Sequence, residues 1–207
     1  KSKLVPDSAL LMSRVYKKEF LRSKYGNTGE FSDNKFIFLQ VGRTKGPQEI
    51  NLFIEQMNKI ADENNLKVIC CPIGIAAGHE DDIYLKKLVK MEPAWCYIEP
   101  IDVLHIMYLI SHSFIYIGTS LHGAITAFAY NKPALPLTEK VSKLSDYIET
   151  WMSDVYLVKT EYKSLNHQYY DAVRKWNNQR AENLLKDQQD KILSHFKELN
   201  EVINKDD

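Results

Sequence analysis

Three short blocks of consecutive apolar residues constrain the fold of this chain more than any other feature. They occupy residues 36–39 (FIFL), 68–71 (VICC) and 114–117 (FIYI), and none of them alternates apolar with polar side chains. A strand needs continuous hydrophobicity when both faces of its sheet are covered. The blocks therefore predict buried strands in a sheet that carries helices on both sides.

The segments between these blocks predict helices. One apolar stripe at helical spacing is formed by Ile50, Phe53, Ile54, Met57, Ile60 and Ala61. Further helices are predicted near 82–91, over 103–112 with Asp102 as the cap, and over 122–130, with short strands near 95–98 and 134–137. The alternation predicts an α/β, Rossmann-like parallel sheet with right-handed crossovers.

Two stretches fall outside this pattern. Residues 1–32, with a helix expected near 7–24, predict an arm or hinge, and 33–160 the Rossmann-like domain. Residues 161–207 predict a helical extension, because the apolar positions Leu185, Ile192 and Leu199 recur every seven residues, with Phe196 and Ile203 beside them. One long helix or two in series would satisfy that spacing. It either packs against the domain or pairs with a partner helix, as in a homo-oligomer.

Composition excludes several function classes. The 27 Lys and Arg residues balance the 27 Asp and Glu residues, so no global field attracts nucleic acid, and no apolar run is long enough to span a membrane. The cysteines Cys70, Cys71 and Cys96 are odd in number, which predicts buried reduced thiols and a cytoplasmic location. The chain begins at Lys1 without a secretory signal pattern, which favours a fragment of a longer protein.

Ligands of open parallel sheets bind beyond the carboxyl ends of the strands, so the loops there are the first candidates for a site. Arg43 and Lys45 follow the first strand in a turn bounded by glycines. A guanidinium fork and a mobile ammonium suit a carboxylate or a phosphate. The alternative is a solvated basic turn.

The loop after the second strand ends in His79 followed by Glu80, Asp81 and Asp82. One interpretation is an acidic start to the next helix. One histidine beside acids is weak evidence for a metal. The remaining interpretation is that His79 reaches the cleft as a proton carrier or a hydrogen-bonding group.

The segment after the fourth strand, residues 118–127 (GTSLHGAITA), is the most informative. Thr119 and Ser120 precede a helix whose first turn contains His122 and Gly123. Free N–H groups at such a helix start can hold an anion, and the hydroxyls can add hydrogen bonds. We predict a ligand-binding role for His122. His105 and His112 lie on a nearly apolar helix and are predicted to be structural, and no role is assigned to His167 and His195.

These motifs resemble the C-terminal half of the polysaccharide pyruvyl transferase family. The resemblance spans roughly residues 4–137 and is carried by residues 5–10 (VPDSAL), 72–74 (PIG), 78–82 (GHEDD), 114–118 (FIYIG), 120–123 (SLHG) and 131–133 (NKP). It implies a two-lobed, glycosyltransferase-B-like fold with the active site between the lobes. Family members transfer the enolpyruvyl group of phosphoenolpyruvate onto two hydroxyls of a sugar.

The resemblance also implies roles for particular residues. His122 matches the histidine of an Arg-x-His donor-site motif, and Ser120 stands where that motif has its arginine. His122 and His79 are the expected catalytic residues. The expected substrate-binding residues are Arg43, Lys45, Thr119, Ser120 and Gly123. Phosphoenolpyruvate is the implied donor substrate and a glycan of a surface polysaccharide or exopolysaccharide the implied acceptor, with a missing N-terminal lobe as partner and no cofactor or metal.

Two other functions remain open at this point. A nucleotide-sugar glycosyltransferase shares the two-lobed architecture, and residues 99–102 would then cradle the nucleobase and ribose. A non-catalytic binding module would use the long C-terminal helix for partner contacts. Architecture alone does not decide among these functions.

Overall fold

A computed structural model describes residues 3–26, 33–76 and 80–203. Its core is a sheet of five parallel strands in the order β3-β2-β1-β4-β5. The strands are β1 (Phe36–Gln40), β2 (Lys67–Cys70), β3 (Cys96–Tyr97), β4 (Ile115–Gly118) and β5 (Ala134–Pro136). The α/β fold with a Rossmann-like parallel sheet is confirmed.

Helices cover both faces of the sheet. The α-helices of the described residues are α1 (Met12–Val15), α2 (Lys18–Tyr25), α3 (Ile50–Asn64), α4 (Asp81–Met91), α5 (Val103–His112), α6 (Leu121–Ala129), α7 (Ser142–Trp151), α8 (Leu165–Lys175) and α9 (Asn178–Ile203). Short 3-10 helices form at Ser8–Leu11 and Tyr162–Ser164.

The central strand shows why its sequence is continuously apolar. Every residue of β1 is buried. Ile37 and Leu39 join a core layer with α3 and α8, whereas Phe36 and Phe38 join the opposite layer with α6. Because successive side chains of a strand point to opposite faces, each face needs its own apolar residues.

The predicted N-terminal helix near 7–24 is wrong as a single element. The Asp7 carboxylate accepts the Ala9 N–H at 2.8 Å and starts a separate 3-10 helix. The backbone of Tyr16 is extended, and its carbonyl accepts a bond of 2.7 Å from the Tyr130 hydroxyl, so the chain breaks between α1 and α2. Leu10 lies in the core of the domain, which places this segment against the body of the molecule.

The C-terminal segment forms two helices in series, one of the two arrangements that the sequence predicts. α8 buries Leu165, Tyr169 and Ala172 in the core layer beside β1. α9 buries Ile192, but Phe196, Leu199 and Ile203 are exposed. The first part of this region therefore packs against the domain, and the end of α9 leaves its apolar stripe uncovered. The domain boundaries at 32 and 160 remain predictions.

Two further expectations concern the whole chain. No helix within the described ranges is long and apolar enough to cross a membrane. Cys70 and Cys71 are buried free thiols, as expected, but Cys96 is only half-buried, because it lies on the short edge strand β3. Burial raises the pKa of the Cys70 and Cys71 thiols, so both remain protonated.

Candidate functional site

A cleft opens between β1 and β4, where the order in which strands are added to the sheet changes from one side of β1 to the other. β1 connects to β2 on one side and β4 connects to β5 on the other, so the loops at the carboxyl ends of β1 and β4 diverge. The cleft has a volume of about 610 Å³ and is called the carboxyl-edge cleft below. Its lining residues are Gln40, Gly42, Thr44, Lys45, Ile73, Gly74, Asp81, Thr119, Ser120, Leu121, His122, Val141 and Lys143.

A buried glutamine connects the loops that meet at this cleft. Gln40 is the last residue of β1, and its Oε1 accepts the backbone N–H groups of Ser120 at 2.8 Å and Thr119 at 3.1 Å. Its Nε2 donates to the Asp81 carboxylate at 2.8 Å. Because burial makes an unmatched amide costly, these partners fix the side chain in one orientation.

Asp81 fastens the loop after β2 to the start of α4. Its Oδ2 accepts the N–H of Gly74 at 2.8 Å and of Ile73 at 3.1 Å, besides the Gln40 amide. The carboxylate is buried and belongs to the first turn of α4, where a negative charge is favoured. The acidic start of this helix is as expected, but no acidic side chain of the described residues caps it, because the N-cap Glu80 makes no capping bond and the Asp81 carboxylate binds groups outside α4.

The hydroxyl of Thr119 is engaged within the protein. It accepts the N–H of Gly42 at 2.9 Å and approaches Gln40 Oε1 at 3.3 Å. The Gly42 carbonyl in turn accepts the N–H groups of Lys45 at 2.9 Å and Gly46 at 3.1 Å. Thr119 therefore holds the turn after β1 in place, and a direct role in substrate binding remains a prediction.

Two glycines make room for one buried tyrosine. A Cβ atom added to Gly123 would lie within 2.5 Å of Tyr116 Cζ, and one added to Gly118 would lie 2.6 Å from it and 2.7 Å from the Gln40 carbonyl oxygen. Tyr116 is fully buried, and its hydroxyl lies 3.2 Å from both Gln40 Oε1 and the Ser120 nitrogen. The structure thus gives Gly123 a packing role, whereas its predicted role in substrate binding remains untested.

Ser120 caps α6, and the first turn of this helix offers free donors. The Ser120 hydroxyl oxygen accepts the Gly123 N–H at 3.2 Å. The N–H groups of Leu121 and His122 have no acceptor among the described residues, as is usual at a helix start. An anion in the cleft could accept from these amides and from the Ser120 hydroxyl.

The His122 imidazole lies at the mouth of the cleft, with 64% of its side chain exposed. Its Nε2 lies 3.8 Å from the Asp7 carboxylate, which is therefore placed to attract the protonated ring. Lys45 and Lys143 also line the cleft, and within the described ranges neither ammonium forms an ion pair. Three groups that can carry positive charge thus surround a site with free amide donors.

The other predicted site residues have different positions. Arg43 lies beside the cleft rather than in its lining, and its guanidinium pairs with Glu80 at 2.6 Å. This ion pair joins the loops after β1 and β2 on an exposed surface. His79 lies outside the described residues, so its predicted catalytic role is not addressed by the structure.

The remaining histidines are placed largely as expected. His105 and His112 are buried on α5, and desolvation lowers the pKa of both rings. His167 is exposed and lies 3.4 Å from Asp171 on the same helix. Within the described residues no group of three or more histidine, cysteine, aspartate or glutamate side chains is arranged to hold a metal ion.

Sequence reasoning missed four contributors to the cleft: Gln40, Asp81 as a buried anchor, Tyr116 and Lys143. Gln40 had a readable signal, since it is the one polar residue of a buried strand and stands at its carboxyl end. Lys143 lies far along the chain, in α7, and nothing in its surroundings distinguishes it from other surface lysines. Residues 99–102 do not line the cleft, and the Asp102 carboxylate receives hydrogen bonds from Tyr25 and the His105 backbone.

Comparisons with known proteins agree with this architecture. A sequence model of the polysaccharide pyruvyl transferase family matches residues 1–140. No curated protein sequence matches the chain. That the chain corresponds to the C-terminal half of family members stays a prediction.

Solved structures with two-lobed folds are similar to the chain at low sequence identity. A glycosyltransferase from Rickettsia africae matches with a TM-score of 0.59 and 13% identity, over 99% of this chain and 57% of that one. The UDP-GlcNAc 2-epimerase of Methanocaldococcus jannaschii gives 0.58 and 13%, over 93% and 54%. The corresponding epimerase of Neisseria meningitidis gives 0.51 and 16%, over 86% and 45%. The chain thus spans about half the length of these proteins, and the likeness shows the fold alone.

Proposed function

Because the chain belongs to the polysaccharide pyruvyl transferase family, we propose that it forms the donor-binding part of an enzyme that transfers the enolpyruvyl group of phosphoenolpyruvate to a glycan. The observation that supports this most is the carboxyl-edge cleft, where free amides of α6 face the same space as His122, Lys45 and Lys143. A second lobe of the two-lobed fold supplies the acceptor contacts. The reaction belongs to surface polysaccharide or exopolysaccharide synthesis in the cytoplasm.

The donor is doubly anionic, and the cleft offers two kinds of group for it. The phosphate accepts hydrogen bonds from the Leu121 and His122 amides and from the Ser120 hydroxyl, as anions commonly do at helix starts. The carboxylate pairs with the ammonium groups of Lys45 and Lys143. These lysines supply the positive charge that serine at position 120, in place of the motif arginine, does not.

The proposed reaction needs balanced proton transfers. The methylene carbon of the donor gains one proton and becomes a methyl group, and a sugar hydroxyl adds to the neighbouring carbon and loses its proton. The bond from that carbon to the phosphate oxygen then breaks, a second hydroxyl adds to the carbon and closes the cyclic ketal, and the proton of that hydroxyl leaves with the inorganic phosphate. Fixed donors at the cleft stabilise the charge that develops on the leaving phosphate.

His122 is the proposed acid or base in these transfers. Its ring is accessible from the cleft, and an imidazole can both donate and accept a proton, which suits proton exchange with a bound substrate. Asp7 is the proposed positioning residue, because its carboxylate lies 3.8 Å from the ring. His79 remains a predicted second catalytic group.

The test measures phosphate release from phosphoenolpyruvate by the complete enzyme in the presence of an acceptor glycan. We expect His122→Ala to lower kcat by roughly 100-fold or more, the usual contribution of a general acid or base. His167→Ala, which removes an exposed imidazole from α8, is the matched control and should keep the full rate. An unchanged rate in His122→Ala contradicts the assignment of this residue.

Ligand binding by this chain separates the proposal from its alternatives. Phosphoenolpyruvate should raise the thermal midpoint in a saturable way, because a ligand that binds only the folded state stabilises it. Lys45→Met with Lys143→Met should abolish the shift, whereas Lys163→Met, an exposed lysine outside the cleft, should retain it. A shift with uridine diphosphate and none with phosphoenolpyruvate favours the glycosyltransferase. No shift with either, together with self-association through α9, favours the binding module.

A further inference from the structure

A second cavity lies at the opposite end of the sheet, where the strands begin. It has a volume of about 490 Å³ and is called the amino-edge cavity. Its lining residues are Lys18, Glu19, Arg22, Ser23, Asp33, Asn34, Ser111, His112 and Lys132. Nothing in the proposed reaction uses these side chains.

The floor of this cavity is formed by buried polar groups. Lys132 is only 8% exposed, and both His112 and Ser111 are also more than nine-tenths buried. The Lys132 ammonium donates to Asn34 Oδ1 at 2.6 Å, the one bond that this group makes within the described ranges although it carries three donors. An ammonium with unused donors in a cavity is costly unless a further acceptor joins it.

The carboxylates at this cavity do not reach the buried cations. Asp33 forms an ion pair with Arg22, and the negative charge of Glu19 favours the protonated form of Lys18. Within the described residues neither Lys132 nor His112 has a carboxylate at ion-pair distance. Among the described residues, the buried end of the cavity therefore holds more positive charge than negative charge.

The titration behaviour agrees with this geometry. Burial, together with the smaller effect of the Lys18 charge, lowers the pKa of Lys132 to about 8. Burial also lowers the pKa of His112, and the charges of Arg22, Lys132 and Lys18 act in the same direction. Each cation thus destabilises its neighbours, which a bound anion would reverse.

We propose that the amino-edge cavity binds a phosphate group, either as inorganic phosphate or as part of a small phosphomonoester. The Lys132 ammonium and the His112 ring contact the phosphate from the buried side, and Lys18 and Arg22 contact it from the rim. His112 Nδ1 lies 2.9 Å from the Tyr108 carbonyl, so Nε2 is the ring nitrogen that remains for the ligand. This site lies at the edge of the sheet opposite the carboxyl-edge cleft, and its existence does not depend on the proposed function.

The first experiment titrates the unmodified chain with inorganic phosphate and follows the histidine ring signals by NMR. We expect the His112 signals to move to saturation and the His112 pKa to rise, because the anion favours the protonated ring. Sodium chloride at equal ionic strength is the control. The proposal is overturned if phosphate moves these signals no further than chloride does.

Variants then locate the binding. Lys132→Met should weaken phosphate binding at His112 by about tenfold or more, which is typical for the loss of a charged hydrogen-bonding partner. Lys35→Met, an exposed lysine outside the cavity lining, should bind like the unmodified chain. Equal affinity in Lys132→Met and the unmodified chain contradicts the proposal. If Lys132→Met does not fold, Lys18→Met takes its place, with a smaller expected loss.

Two further measurements distinguish a phosphomonoester from free phosphate as the ligand, and the amino-edge cavity from the carboxyl-edge cleft as its site. Glycerol 3-phosphate that binds more tightly than inorganic phosphate identifies the site as one for phosphomonoesters, and the reverse order identifies free phosphate as the ligand. The variant with Lys45→Met and Lys143→Met should keep the response of His112 in full, because these lysines line the other cleft. Loss of the His112 response in that variant overturns the proposal of a separate site.

Discussion

Replacement of Gly123 by alanine tests how tightly the cleft is built around Tyr116. The added methyl would lie within 2.5 Å of Tyr116 Cζ and 2.8 Å of its Cε2. Neither the tyrosine ring nor the helix backbone can move easily to relieve this overlap, since Tyr116 is fully buried and α6 is buried along most of its length. Such overlap in a packed core costs up to about 3 kcal/mol.

An opposing effect has to be subtracted from this cost. Alanine is favoured over glycine in a helix by at most about 1 kcal/mol. The net destabilisation is therefore about 2 kcal/mol, which for a chain of this size lowers the thermal midpoint by about 4–8 °C. Steric overlap would lower the free energy of unfolding, whereas helix propensity alone would raise it. The direction of the measured change therefore shows which effect is larger.

The assay is thermal and urea denaturation of Gly123→Ala beside Gly26→Ala. Gly26 ends α2, and its added methyl would meet the flexible Arg22 side chain at 3.1 Å, so a small change is expected. Gly123→Ala should cost much less in a Tyr116→Leu background, where the ring is gone. A more stable Gly123→Ala variant, or an equal cost in both backgrounds, would refute the packing argument.

Three other expectations follow from individual contacts. Asp81→Ala should cost about 2–3 kcal/mol in urea denaturation, since it leaves the N–H groups of Gln40, Ile73 and Gly74 without their shared acceptor, and Asp82→Ala on the same helix should cost far less. Tyr156→Phe should cost about 1 kcal/mol, because its buried hydroxyl donates to the Lys132 carbonyl at 2.7 Å; no loss would contradict that bond. Burial lowers the pKa of His112 in the folded state, so the unfolded chain binds more protons and stability falls as the pH drops below about 6.5. The slope of stability against pH between about 5 and 7 should flatten in His112→Gln, and an unchanged slope would contradict its burial in the neutral form.

Apolar patterning predicted the sheet because each central strand has two covered faces. The continuous block at 36–39 could not have been a surface strand, and β1 is indeed buried on both sides. The start of α6 was also readable, because Ser120 precedes an apolar run and accepts the Gly123 N–H as a cap does. Local sequence rules were sufficient at this helix start, because the donor and acceptor that form the cap lie within three residues of each other.

The parts that the sequence did not predict depend on contacts between distant segments. The break after α1 involves a hydrogen bond from Tyr130 to the Tyr16 carbonyl, 114 positions apart. The buried Gln40 side chain links the end of β1 to Asp81 and Ser120 by hydrogen bonds, and nothing in the sequence around Gln40 indicates those partners. Propensity and periodicity describe neighbours along a helix or strand, so they do not report such pairings.

The contacts around the carboxyl-edge cleft divide its residues into two groups. Gln40, Asp81 and Thr119 use their polar atoms on one another and on backbone amides, so they hold the loops in position. His122 and Lys45 face the cleft without a hydrogen bond from their side chains to the rest of the described chain.

This division predicts two kinds of variant. Substitution of a loop-holding residue such as Thr119 should lower stability and donor binding together, because the turn at Gly42 loses its acceptor. Substitution of His122 should lower turnover and leave the free energy of unfolding nearly unchanged, since an exposed ring contributes little to it. Paired measurements of urea denaturation and phosphate release on both variants check this, and a strongly destabilised His122→Ala would place the ring in the supporting framework rather than among the reacting groups.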